Sequence, residues 1–266
     1  FIRTIKDWIE KKRLLPQVSQ EIQNLIEKTI NREKIRVSVD LLGSPIYLRT
    51  DLIFGLRSGG SVGHIAGVLN HLDHFTGPPV FLSTDIIPTV RPDIETKILN
   101  PPGRFWDFNE IPGLFFNTVM ERTAKEYLDG RRISFVYQRY SRNNYAGVKL
   151  ARSLKVPFVL EYNGSEVWIS RHWGRPLKYE TLSERIERLN LSSADLVVVV
   201  SRPMKNELEG RGIDVSKILV NPNGVDPERY SPSVDGTKIR RRYHLDEKVV
   251  VGFIGTFGKW HGAEVL

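Results

Sequence analysis

The sequence contains no cysteine. Disulfides and thiolate metal sites are therefore excluded, and a reduced, cytoplasmic setting fits. It also has no run of roughly 18 apolar residues, so no segment reads as a membrane span. No helix-turn-helix, zinc-finger or RNA-recognition pattern appears, which argues against nucleic acid as a partner. There is no G-x-S-x-G elbow, which argues against an α/β-hydrolase. His71 and His74 flank Asp73 at a spacing able to hold a metal, but no third ligand is in view and no metal site is expected. Neither an initiator Met nor a signal-peptide cleavage site marks the start at Phe1-Ile2-Arg3. Without a secretory signal, the glycosylation-type triplets at Asn163 and Asn190 carry little meaning.

What is present is an ordinary globular balance: 266 residues, 40% apolar and 26% charged. Basic residues outnumber acidic ones by 39 to 31, for a net charge of +8. Lys11-Lys12-Arg13, Arg131-Arg132 and Arg240-Arg241-Arg242 form clusters. These fit a solvated basic surface, or attraction to anionic lipid or phosphorylated ligands.

Residues 1–43 carry Ile5, Trp8 and Ile9, then Ile22, Leu25, Ile26 and Ile30, at helical spacing. Two amphipathic helices broken near Pro16 are expected, packed on the domain or lying at a membrane surface. From residue 44 to 221 apolar strand candidates alternate with helical patterns. Examples are "IYLRTDLIF", "ISFVYQRY", "PFVLEYN" and "DLVVVVS", with helices such as "YETLSERIERLNLSSA" between them. Near-continuous Val and Leu runs bounded by helices indicate an α/β domain with a doubly wound, Rossmann-like parallel sheet. Residues 222–238, rich in Pro, Gly and Asp, read as a linker. Residues 239–266 restart the pattern with a helix, a strand and a glycine-rich loop, as a second α/β domain would, so a longer parent chain is expected.

Ligands of such sheets sit beyond the carboxyl ends of the strands. Three segments emerge there. "GLRSGGSVGH" precedes a helix whose free N–H groups would face an anion, although its G-G-x-x-G spacing is neither the dinucleotide fingerprint nor a Walker loop. Phosphate cradle and structural turn both remain open. "EYNGSEVW" groups Glu161, Asn163 and Glu166 as hydrogen-bonding residues of a cleft, or as an Asx-type turn. "YQRYSRNN" ends a strand with Arg139 and Tyr140, suited to a phosphate or carboxylate ligand or to a surface salt bridge.

Five stretches in this order, "GGSVGHIAGVLNHL", "PFVLEYNGSEVW", "ADLVVVVSRPMKNEL", "KILVNPNGVDPERYSP" and "VGFIGTFGKWHG", resemble the family 4 retaining glycosyltransferases of GT-B architecture, from about residue 46 onward. The resemblance implies two Rossmann-like domains facing across a cleft, an acceptor-side domain first and a nucleotide-sugar domain second. It implies a nucleotide-sugar donor, no metal or other cofactor, and a glycan or lipid-linked acceptor in polysaccharide or glycolipid synthesis, with peripheral contact to an anionic membrane. Gly59, Gly60 and Ser61 map to the loop beneath the donor diphosphate and sugar. Where many members carry a strand-end His this chain has Asn163, taken with Glu166 as the catalytic candidates. Where many carry an Arg and a Lys that grip the diphosphate, it offers Thr256, Lys259 and His261. His64, Arg139 and Tyr140 are then acceptor-side candidates. The family's paired-glutamate segment would lie beyond residue 266, so this chain alone is expected to be inactive. The alternatives are a non-catalytic carbohydrate- or partner-binding module on the same fold, and a nucleotide-linked epimerase or oxidoreductase. Against the latter, no acidic residue closes a strand about 20 positions after the glycine loop.

Overall fold

The computed structural model describes residues 2–30, 38–228, 230–253 and 262–265. The chain divides into two compact units, residues 1–222 and 223–266. Strands of the first unit are short, and the central ones are largely buried because both faces of a parallel sheet are covered by its crossover helices, while the two edge strands stay partly exposed. They are β1 (Ser44–Arg49), β2 (Val80–Ser83), β3 (Glu95–Ile98), β4 (Ile133–Arg139), β5 (Phe158–Tyr162), β6 (Leu196–Val199) and β7 (Ile218–Val220). All pair in parallel, in the order β3-β2-β1-β4-β5-β6-β7. The order reverses between β1 and β4, which makes the carboxyl ends of these two strands the switch point at which such sheets bind ligands.

Helix α1 (Ile2–Ile30) precedes the sheet. The others are α2 (Gly60–Leu72), α3 (Ile111–Leu128), α4 (Ala146–Leu154), α5 (Glu166–His172), α6 (Glu180–Ser193) and α7 (Arg202–Gly210). Helix α1 corrects the expectation of two helices, because it is one helix with Pro16 inside it. An interior proline costs about 3 kcal/mol. Yet the apolar stripe runs unbroken across it: Leu14, Leu15, Val18, Ile22, Leu25 and Ile26 all join the main core, with Ile22 wholly buried. Burying that stripe along α6 outweighs the lost backbone bond. Polar ties finish the docking. Tyr145 donates to Glu21 at 2.7 Å, Lys149 bridges Glu21 and Glu121 at 2.6 and 2.7 Å, and Arg104 reaches Asp7 at 2.6 Å.

Two strand expectations are trimmed. "IYLRTDLIF" is extended only to Arg49, since Asp51 turns the chain by accepting from the Arg49 side chain and the Ile53 N–H. In the second unit α8 (Thr237–Arg242) forms as a helix. Residues 249–251 form no strand, having no neighbouring strand to pair with among the described residues. Residues 254–260 of the glycine-rich loop, with Thr256 and Lys259, lie outside the described residues, as does His261.

Candidate functional site

The site is assembled at the switch point from the segments that follow β1, β4 and β5. Behind β1, the buried Arg49 guanidinium grips Asp51 through two bonds of 2.9 Å and donates to the Ile53 carbonyl at 2.6 Å. Gly55 N–H donates to Asp85 at 2.6 Å, and Thr84 donates to the Asp51 carbonyl at 2.7 Å. The loop is thereby fastened to the end of β2 before it reaches the glycines. The Gly55 N–H bond is the first cause of the lowered Asp85 pKa.

Gly59 then adopts φ +120°, ψ 172°, a conformation open essentially to glycine alone. It starts α2, whose N-terminus has no side-chain cap. A Cβ at Gly59, Gly60 or Gly63 would meet nothing within 4 Å. So these glycines leave the backbone approachable, and exposed helix-end N–H groups with the positive dipole end favour an anion there.

One turn into α2, His64 meets a buried carboxylate. Glu161 at the end of β5 is wholly inaccessible, and five side chains converge on it. His64 Nε2 lies 3.2 Å from Oε2. Tyr47 and Tyr137 donate to the same oxygen at 3.2 and 3.0 Å. Asn163 Nδ2 donates to Oε1 at 2.8 Å, and Arg139 forms an ion pair there. Burial alone would raise the carboxyl pKa, but His64, Arg139 and Asn163 outweigh it and hold it at about 2. The two phenols respond oppositely, driven far up by burial and by the Glu161 charge.

Beside this cluster a cavity of about 280 Å³ opens between the ends of β1 and β4 and the start of α3. Trp106, Ile53 and Pro112 give it an apolar side; Ser141, Arg142 and Glu166 give it polar groups. Thr50 and Ser141 hydroxyls, 2.6 Å apart, tie β1 to β4 at its floor. Burial raises the Glu166 pKa, with Arg142 opposing.

Of the expected site residues, His64, Arg139 and Asn163 come together on Glu161, and Glu166 lies in the cavity. Asn163 donates its Nδ2 to Glu161, and no Asx-turn bond to its side-chain oxygen is seen among the described residues. Gly59, Gly60 and Ser61 stand at the head of α2. Tyr140 is turned the other way: its ring packs 5.6 Å from Tyr162 and its hydroxyl is buried, leaving no surface for a ligand. Strand alternation explains this, since neighbours 139 and 140 face opposite sides. Sequence patterns missed Tyr47 and Tyr137, which read as strand core, and the cavity residues Trp106 and Arg142. Among the described residues, no three His, Asp or Glu side chains are grouped to hold a metal, and no helix is long and apolar enough to cross a membrane.

Residues 59–229 match the family model described as Glycosyltransferase Family 4. A GDP-mannose-dependent alpha-mannosyltransferase of Mycobacterium tuberculosis is 30% identical over 111 residues, covering 42% of this chain and 29% of that protein. Anabaena HepE in complex with UDP-glucose superposes with a TM-score of 0.59 at 15% identity, over 84% of this chain and 56% of that one. HepE with UDP and glucose gives 0.57 at 18% identity, over 84% and 56%. These likenesses show the fold, and the chain spans little more than half of the similar structures.

Proposed function

Because the chain belongs to Glycosyltransferase Family 4, we propose that the protein transfers a sugar from a nucleoside diphosphate sugar to an acceptor hydroxyl, with retention of anomeric configuration. The observation that carries this is the uncapped N-terminus of α2 behind Gly59, set directly above the Glu161 cluster. The main demand of such a transfer is to stabilise negative charge on the departing diphosphate. Prearranged N–H groups and a helix dipole meet that demand without proton transfer and without a metal. Gly59, Gly60 and Ser61 accept the donor diphosphate and sugar. Lys259 or protonated His261 supplies the cation, and Thr256 is the third donor-binding candidate of that loop. Asn163, oriented by Glu161, and Glu166 face the reacting centre, and His64 with Arg139 borders the acceptor side.

The GDP-mannose dependence of one relative and the UDP-glucose of HepE support a nucleotide-sugar donor without choosing the base or the sugar. The chain covers 56% of HepE, and turnover is assigned to the full-length protein. The protein works at the cytoplasmic side, in peripheral contact with an anionic membrane. The half-exposed Ile5, Trp8 and Ile9 on α1, beside Lys6 and Lys12, support that contact.

The test is a panel of nucleotide sugars given to the full-length protein with glycan and lipid-linked acceptors, reading nucleotide release and the anomer of the product by NMR. Acceptor-dependent release from one donor, with the donor's anomer kept, is expected. No transfer from any donor, or inversion, overturns the proposal. Unchanged turnover in both Lys259→Ala and His261→Ala removes those two residues from it.

A further inference from the structure

Four arginines stand at the carboxyl ends of β1 and β4 or in the loops that leave them. Two are spent on carboxylates: the buried Arg49 grips Asp51, and Arg139 pairs with Glu161. Arg142 donates to Ser170 Oγ at 2.9 Å and lines the cavity beside Glu166. The fourth, Arg57, lies two residues ahead of Gly59 in the loop that starts α2. Its side chain is 58% exposed, yet it is held. Nη1 donates to the Ile86 carbonyl at 3.2 Å, and contacts the Leu56 carbonyl and Asp85 Oδ2 at 3.4 Å each. Among the described residues, Nε and Nη2 make no hydrogen bond. Those two N–H groups share one edge of the guanidinium, the edge that closes on two oxygens of a phosphate or carboxylate. Arg57 is therefore anchored through one nitrogen with its bidentate edge unspent.

The acid beside it is a poor counter-ion. Asp85 Oδ2 takes the Gly55 N–H at 2.6 Å, and Oδ1 takes the Ile86 N–H at 2.8 Å. Its contact with Arg57 is the longest of the three, and an exposed pair at that distance offsets little charge. What Asp85 does is order residues 55–57 against the end of β2. Only Ser58 separates Arg57 from Gly59, and two residues of chain span at most about 7 Å. The guanidinium and the open backbone at the head of α2 thus address the same space, where the uncapped N–H groups favour an anion.

We propose that Arg57 binds the donor diphosphate directly, its Nε and Nη2 donating to phosphate oxygens while the head of α2 donates from its backbone. The proposal rests on the transferase reading for the identity of the anion, and on the loop alone for the residue that meets it. Arg57 supplies this charge from the first unit itself, independently of Lys259 and His261 in the second.

The experiment measures equilibrium binding to the full-length protein without any acceptor. The probes are UDP, GDP, ADP and dTDP, each beside its own nucleoside, followed by calorimetry for the diphosphates and saturation-transfer NMR for the nucleosides. Wild type binds at least one diphosphate. Arg57→Ala weakens that diphosphate at least about tenfold, the weight of one hydrogen bond to a charged group. The matching nucleoside moves by less than about twofold, because it carries no phosphate for the guanidinium to hold. Arg57→Lys keeps a charge and loses the fork, so its affinity falls between wild type and Arg57→Ala. Thermal unfolding of each variant checks that it is folded. Diphosphate binding unchanged in Arg57→Ala overturns the proposal and leaves the transferase reading standing. Equal weakening of the diphosphate and its nucleoside also overturns it, since Arg57 would then act only by shaping the loop. A wild type that binds none of the four diphosphates removes the donor reading, and this proposal with it.

Discussion

Replacing Glu161 by Gln keeps the shape of the buried cluster and removes its charge. Gln retains an oxygen to accept from Tyr47, Tyr137 or Asn163, so the loss is mainly the attraction to Arg139 and to His64 when it is protonated. The carboxyl sits at about 2 against an ordinary 4.5. That difference corresponds to about 3 kcal/mol in favour of the ionised form in the folded chain. The side chain is 1% exposed, so solvent screening does not reduce it. For a folded body of this size about 3 kcal/mol lowers Tm by roughly 6–12 °C. Because the folded pKa lies below the unfolded one, this stability is fully present above about pH 4.5. It is lost as pH falls through about 2. Other depressed carboxyls, such as Asp7 and Asp73, titrate in the same range. The measurement is therefore a difference: urea or thermal unfolding of wild type and Glu161→Gln from pH 7 to pH 2. The gap is widest at neutral pH and closes in acid. A variant within about 1 kcal/mol of wild type at pH 7, or a gap that stays constant down to pH 2, refutes the role given to the charge.

Two further outcomes follow from the packing. Ile22→Ala, deep in the core, costs about 2–5 kcal/mol by urea unfolding, whereas Ile5→Ala on the same helix stays within about 0.5 kcal/mol; equal costs would mean that α1 is not part of the folded body. Gly59→Ala costs about 1–3 kcal/mol of backbone strain, while Gly60→Ala, with an ordinary φ and open space around it, costs about a third of that or less by the same assay.

Much of the fold was legible because a parallel sheet writes itself as apolar runs. "VFLS" of β2 is buried end to end and "LVVV" of β6 in all but its first residue, and the intervening helices announce themselves by period. The strand order was not legible, since nothing in a strand's own composition names its neighbour. Pro16 misled because propensity is local while the stripe from Leu14 to Ile26 gains its stability from α6, far along the chain. Helix α5 went unread because seven residues are too few to show a period. In the site, glycine and strand-end polar residues were visible as departures from the apolar background. Tyr47 and Tyr137 were not, because their rings belong to the core, stacked at 4.9 Å, and only their hydroxyl tips serve Glu161. Tyr140 shows the converse hazard, a polar tip that strand alternation turns inward.

The placement of Glu161 raises a question of sign, because a carboxylate beneath an anion-accepting helix end would repel the anion if it stood alone. It does not stand alone. Arg139 offsets its charge, and protonation of His64 would make the trio net positive. The field at the head of α2 is then set by the helix dipole, with the buried carboxylate reduced to orienting the imidazole and the Asn163 amide. Glu166 has no hydrogen-bonded partner, but Arg142 stands in the same lining and its charge opposes the effect of burial on that carboxyl.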